Sequence, residues 1–233
     1  MADSTCALFT LRARYWRPWA TGDVFITKGG AAGSASSVDL KDDLGLDAGN
    51  EWMVGADVRM GRHRIRLAYE PLAFDGKNTL DRSVIYHAAT YPQGASVQGN
   101  IDLTLYEAGY QYASLDDCND TIWTGVSAWV WTYDGRLKTT GIDESRSFTH
   151  VYPVATVAAE HRFGNWKVAG GLNVGGLATD RYVIDLEASV GVKLFGHLDL
   201  EAGYRWMKFE FHESTNKASM TFSGPFVGVA YEF

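Results

Sequence analysis

The chain has 233 residues, enough for one sizeable domain, and its 46% hydrophobic and 13% aromatic content excludes a disordered chain. Acidic residues outnumber basic ones 28 to 21, and no basic patch suited to a phosphate backbone is visible, so nucleic acid is excluded as a partner. No run approaches the roughly 20 apolar residues of a transmembrane helix. Met1 to Cys6 shows neither the basic nor the apolar region of a signal peptide, as a mature chain restarted at an added Met would also look.

Period-2 alternation, the mark of strands with two unlike faces, recurs along the whole chain. The first predicted strand, 7–20, sets Phe9, Leu11, Ala13 and Tyr15 against Thr10, Arg12, Arg14 and Trp16. In 51–60, Trp52, Val54, Ala56 and Val58 oppose Met53, Gly55, Asp57 and Arg59. In 63–76, Ile65, Leu67 and Tyr69 oppose Arg64, Arg66, Ala68 and Glu70. Strands over 101–114 and 120–134 follow. In the second of these Trp123, Trp129 and Trp131 share one face and Ile122, Val126 and Val130 the other, so the pattern does not orient it. Strands over 147–162, 165–178, 181–195, 197–213 and 217–233 complete the set, the alternation being clearest from Tyr182 to Leu194 and from Leu198 to Met207.

The connections carry the architecture. Those at Gly61-Arg62, Leu115 to Asn119, Phe163-Gly164 and Gly196 are short, whereas 21–50 and 77–100 are long and 135–146 is intermediate. Short turns at one end and long loops at the other, with an even number of strands, describe a membrane barrel better than a soluble sandwich. The reading is an all-β, transmembrane, antiparallel up-and-down β-barrel of ten strands, one domain over 1–233. Eight strands with extended loop hairpins are the alternative.

Charge placement points the same way. One face of the strands carries Arg12, Arg14, Arg59, Arg64, Arg66, Lys167, Lys193 and Arg205 against Asp57, Glu70, Glu160, Asp185, Glu187, Asp199, Glu201 and Glu232. That near-balance suits a narrow lumen plugged by ion pairs, with Arg12, Arg14, Arg59, Arg66 and Arg205 reaching Asp57, Glu70, Asp185, Glu187 and Glu201. Glycines such as Gly55, Gly191, Gly203 and Gly228 thin the lining. Aromatics fall into two belts: Trp19, Trp52, Tyr69, Tyr182 and Trp206 toward the long loops, and Phe9, Tyr112, Trp123, Trp166 and Phe233 toward the short turns. Pro18, Pro71, Pro153 and Pro225 all map to the long-loop ends, where ladder pairing can lapse.

The last residues, Val227-Gly228-Val229-Ala230-Tyr231-Glu232-Phe233, resemble the C-terminal assembly signal of Gram-negative outer-membrane β-barrel proteins. In that family a terminal aromatic follows apolar residues at alternate positions, a pattern met here by Phe233, Tyr231, Val229 and Val227. The resemblance implies insertion into the outer membrane of a Gram-negative bacterium by the barrel-assembly machinery, among outer-membrane lipids and lipopolysaccharide. Tyr15-Trp16-Arg17-Pro18-Trp19, Leu40 to Leu46 and Ser223 to Gly228 also resemble a group of functionally uncharacterised outer-membrane barrels, over a small share of the chain and with no catalytic residues to transfer.

The class includes anchors, adhesins, narrow channels, surface proteases and lipid A-modifying enzymes, and fold does not choose among them. An omptin-like protease would need a His–Asp pair and a second acidic pair at the upper strand ends, for which His150 or His212 with Asp134 or Glu213 are the candidates. A lipid A deacylase would need Ser, His and an acid facing lipid, and no strand carries such a set. His63, His161 and His197 map to short turns, and His87 to a long loop. The acidic run from Asp39 to Asp47 lacks the spacing of a calcium loop and contains Lys41. The reading is therefore a monomeric, non-enzymatic structural or surface-interaction protein with no metal or cofactor. A narrow porin-like channel for small solutes is the alternative, and a surface enzyme the third choice. Cys6 and Cys118 both map to the periplasmic end, where a disulfide between them is expected.

Overall fold

The computed structural model describes residues 9–31, 33–178, 181–213 and 216–233. Its strands are β1 (Phe9–Trp16), β2 (Trp19–Ile26), β3 (Val38–Asp39), β4 (Glu51–Met60), β5 (His63–Thr79), β6 (Val84–Tyr86) and β7 (Ala89–Tyr91). They continue as β8 (Ser96–Asp116), β9 (Asp120–Thr139), β10 (Ile142–Phe163), β11 (Trp166–Ala178), β12 (Arg181–Phe195), β13 (Leu198–Glu213) and β14 (Asn216–Glu232). Each long strand pairs antiparallel with the next, and β1 pairs with β14, so the sheet closes on itself.

The wall has ten strands because β1 and β2 are one strand with a break. Both lie along β14, through Trp16↔Phe226 and Trp19↔Ser223, with Arg17-Pro18 between them. Below the break the strand also pairs with β4. Above it, β2 leaves β4 and takes β3 as its other neighbour. Proline brings no N–H to the ladder, so the break falls where a donor is missing.

The outer face is the expected lipid-facing band. Leu11, Val54, Ile65, Leu67, Val126, Val157, Val168, Leu186, Val190 and Val229 are all exposed on it. Trp19, Trp52, Tyr69, Tyr106 and Tyr204 rim its upper side, and Tyr110, Tyr112, Phe163, Trp166, Tyr231 and Phe233 its lower side. Aromatic rings prefer such positions because an apolar body and a polar tip meet both solvents. Trp123 departs from the expected belt. It is buried in the lumen under the guanidinium of Arg64, 4.0 Å from the ring centre, and this also orients the strand that the sequence left ambiguous.

The upper end departs further from expectation. Residues 135–146 do not loop out: β9 and β10 run on to the two-residue turn Thr140-Gly141, with Gly141 at φ 79. Likewise β5 and β8 stay paired up to Thr79↔Ser96. Above the membrane band the wall therefore separates into two sheets, which we call wings. The first comprises the upper parts of β5, β8, β9 and β10. The second comprises those of β12, β13, β14 and β2. The remaining described connections, 27–31, 33–50 and 80–95, fold between and against the wings; the hairpin β6–β7 is part of this packing.

Candidate functional site

The lower lumen holds a charge network built by the pleat, which aims alternate residues inward. Arg14 donates to Glu201 at 2.5 Å and to Glu187 at 2.7 Å. Arg205 donates to Glu70 at 2.7 Å and to Asp185 at 2.7 Å. Arg12 pairs with Asp57. Arg66 lies 3.7 Å from Glu107, and Lys167 lies 3.8 Å from Asp199. Arg59 does not join its expected partners: it sits near the short turns and grips Asp116 with both carboxylate oxygens, at 2.9 and 2.8 Å. Sequence reasoning left out Glu107, Gln111 and Asp116, because an acid or amide facing inward on β8 meets its arginine only once β5 is set beside it.

Glycine makes room for these arms. A Cβ at Gly228 would lie 2.7 Å from Cγ of Arg14, and one at Gly191 would lie 3.4 Å from Cε of Lys167. Over Gly228 and its neighbours the arginine can lie across the wall and reach Glu201 two strands away and Glu187 three strands away.

Above Arg205 the character of the lumen changes. Its guanidinium lies 5.1 Å from the ring centre of Trp16 and contacts Met53 Sδ at 3.5 Å. Beyond it the inward residues are Leu72, Phe74, Leu103, Leu105, Trp129, Trp131, Tyr133 and Tyr152 from the first wing, and Val183, Met207, Phe209, Phe211, Met220 and Phe222 from the second. Rings meet across the lumen: Phe74 stacks on Phe222 at 5.4 Å, while Trp131 meets Phe209 at 5.2 Å and Phe148 meets Phe211 at 4.6 Å in tilted contacts. The wings pack like two sheets of a sandwich. Between them and the inserted connections, a void of about 10 Å³ lined by Val24, Val38, Tyr86, Tyr133 and Leu137 is scarcely large enough for one water.

The inserted connections are pinned to the first wing. Tyr86 Oη donates to the carbonyl of Gly135 at 3.1 Å, and Tyr91 Oη to that of Leu137 at 2.7 Å. Burial pushes the Tyr86 phenol up to about 12 and raises those of Tyr91 and Tyr133. At the tip of β6–β7, His87 and Ala88 take φ of 50° and 67°, and the His87 ring meets Glu144 at 2.8 Å.

Among solved structures, the chain is similar to the outer membrane protease OmpT from Escherichia coli, with a TM-score of 0.61 at 8% identity over 100% of both chains. That overlap runs through every strand of the closed wall. The fold is that of an outer-membrane β-barrel. Two further barrels resemble it less. The translocator domain of the autotransporter NalP from Neisseria meningitidis has a TM-score of 0.48 at 11% identity, over 99% of this chain and 90% of that one. Ail, the attachment invasion locus protein of Yersinia pestis, has 0.44 at 9% identity, over 97% and 98%. No family model matches the chain, and no curated protein does.

In this outer-membrane barrel the histidines and acids considered for proteolysis are not brought together. His150 points into the upper lumen among Phe148, Tyr152 and Phe211. Asp134 points outward, on the opposite side of the wall. His212 lies on the outer face, 3.6 Å from Glu210. The side chain of Glu213 lies outside the described ones. The acidic run at 39–47 is a turn: Asp39 accepts the N–H groups of Lys41 and Asp42, and Asp43 accepts that of Asp39 while meeting Arg82.

At the end of the barrel, Phe233 donates its N–H to the carbonyl of Phe9 at 2.9 Å and packs its ring 5.4 Å from that of Phe9. Tyr231, Val229 and Val227 are exposed on the outer face. Cys118 is an exposed thiol at the short-turn end, and Cys6 lies outside the described residues.

Proposed function

We propose that this protein is a closed, non-enzymatic outer-membrane barrel whose work is done by contacts outside the membrane rather than by passage through it. The observation that carries this reading is how the lumen is filled: a packed upper layer closes it above a lower half bridged by ion pairs. Opposite charges pair across the lower half, and aromatic rings from facing wings meet across the upper half. A water path would have to cross a layer of rings that are themselves buried, among them Phe74, Trp131, Phe209 and Phe222. The reading also rests on the separation of His150 from Asp134 by the thickness of the wall.

Planar-bilayer recording of the purified barrel tests it: a quiet trace is expected, and reproducible, long-lived steps of porin size would replace this reading with that of a narrow channel. Lipids and lipopolysaccharide are the proposed partners of the outer band, and the barrel-assembly machinery that of the C-terminal signal. Deleting Phe233 is expected to reduce heat-modifiable barrel in outer membranes while sparing refolding into detergent. Equal membrane levels of both forms would remove the signal from the account.

A further inference from the structure

The edges of the two wings are not treated alike. A bare strand edge presents unpaired N–H and C=O groups, and folded proteins usually cover or blunt it. The β5 edge of the first wing is covered. Glu51 Oε1 accepts the N–H of Ala73 at 2.9 Å, Asp47 donates its N–H to the carbonyl of Asp75 at 3.2 Å, and Leu46 bridges Gly76. The β2 edge of the second wing is covered by β3, by Leu40 bonding Gly22 and by His87 bonding Ile26.

The β10 edge is different. Its pairing with β11 begins at Val154, whereas its pairing with β9 continues up to Ile142. The two-residue turn at Thr140-Gly141 makes Thr139 and Ile142 a hydrogen-bonded pair, so even-numbered residues of β10 bond to β9. The groups of Asp143, Ser145, Ser147 and Thr149 then face away from it. All four residues are exposed, and among the described residues no strand pairs with them on that side. Pro153 stands at the foot of this stretch, where its missing N–H leaves no donor wanting a partner.

We infer that this edge pairs with the same edge of a second copy of the chain, antiparallel and centred on Ser145. Registers centred on Asp143, Glu144 or Arg146 would set a charged residue against itself. One centred on Ser147 would set Arg146 against Phe148. The register centred on Ser145 puts Glu144 of each copy opposite Arg146 of the other, Ile142 opposite Phe148, and Asp143 opposite Ser147. Arg146 is exposed and has no ion-pair partner among the described residues, so it is available for this contact. Glu144 meets His87 at 2.8 Å through one oxygen and stands 3.9 Å from Lys28 through the other, so the second copy's arginine would join or replace the distant Lys28. The core of the contact supplies about six backbone hydrogen bonds.

Geometry then fixes how the copies meet. The two-fold axis of an antiparallel ladder stands perpendicular to its sheet. Here the sheet is the barrel wall, which is upright in the membrane, so the axis lies in the membrane plane. A half-turn about it inverts the second copy. The partners therefore sit in opposing membranes, each barrel remaining single in its own, and the contact is one between two surfaces. This names a partner for the surface-interaction role proposed above and depends on it, since the wings must face outward from the bilayer.

The test uses full-length protein in two separately labelled populations of phosphatidylethanolamine–phosphatidylglycerol vesicles. Heat modifiability and protease access to the wings are measured first, so failure of insertion is seen separately from failure of pairing. Mixed vesicles are expected to cluster. Glu144→Arg and Arg146→Glu should each reduce clustering about tenfold or more through like-charge contact, and the double exchange should restore it. In a Cys6→Ser, Cys118→Ser background, Ser145→Cys should form a disulfide between the two labelled populations, because ladder partners stand about 5.5 Å apart at Cα. Clustering unaffected by either single change, or disulfides formed only within one population, would overturn the proposal. So would an added extended peptide that cross-links to Ser145→Cys in vesicles that never cluster, which would give the edge to a different strand.

Discussion

The lower and upper halves of the lumen solve the same problem by opposite means. Below Arg205, long cationic side chains span the bore over glycines and meet acids from strands far off in sequence. Above it, the wall flattens and two sheets press apolar faces together. A charge network satisfies each member by specific geometry and loses much when one is removed, whereas an apolar layer is held by area and shape. Closure of the bore then depends on the upper layer, and the lower one mainly fixes which strands face each other.

The largest expected effect comes from removing the contact between wings. Trp131→Ala with Phe209→Ala deletes a ring pair that is buried on both sides, at about 3–5 kcal/mol for each large aromatic truncated, less than additive because the two touch. Protease should then cut the wings while the lower barrel still migrates as a heat-modifiable species, and bilayer current should appear. A variant that stays silent and protease-resistant would locate the closure elsewhere.

Arg205→Met attacks the lower half. It leaves Glu70 and Asp185 buried without their shared cation, and should destabilise the barrel by about 3–5 kcal/mol in denaturant refolding. Adding Glu70→Gln and Asp185→Asn should recover much of that loss. No current is expected from either variant, since the aromatic layer above remains; current from Arg205→Met alone would show that the ion pairs close the bore.

A smaller effect is expected from Gly228→Ala, whose new methyl would press on the stem of Arg14. Cγ sits near the Arg14 backbone, and the carbonyl of Ala13 would lie 3.1 Å away, so the neighbours must shift and about 1–2 kcal/mol is expected. Arg14→Ala in the same chain should relieve the crowding, and thermal melting of the single and double variants checks this.

The smallest effect concerns pH. The Tyr86 phenol, raised to about 12, and the raised phenols of Tyr91 and Tyr133 stay protonated in the folded wings above the ordinary value near 10. Their contribution to stability is constant below that value and falls as pH rises from about 10 toward 12. Tyrosinate absorbance should show a late phase from these three above the ordinary value, as the wings loosen. Absence of that late phase would mean the upper layer is open to water.

The alternation of residues by itself determined the class of fold and the inward placement of Arg12, Arg14, Asp57 and Arg205, and it favoured ten wall strands over eight. A strand has only two faces, and the membrane forces one of them to be apolar. Local pattern also located the short turns at Gly61-Arg62, Gly164 and Gly196. It could not show that Thr139 and Ile142 close a hairpin, because the polar residues of 135–146 read as a loop; the long ladder there is held by the inserted connections, through Tyr86 on Gly135, Tyr91 on Leu137 and His87 on Glu144. Nor could it show that Phe74 meets Phe222 or that Arg59 meets Asp116. Those partners are brought together only when the sheet closes, and the register of closure is a property of all ten strands at once. The same holds for the edge of β10: whether a strand has a neighbour on its far side is decided by where the next strand stops.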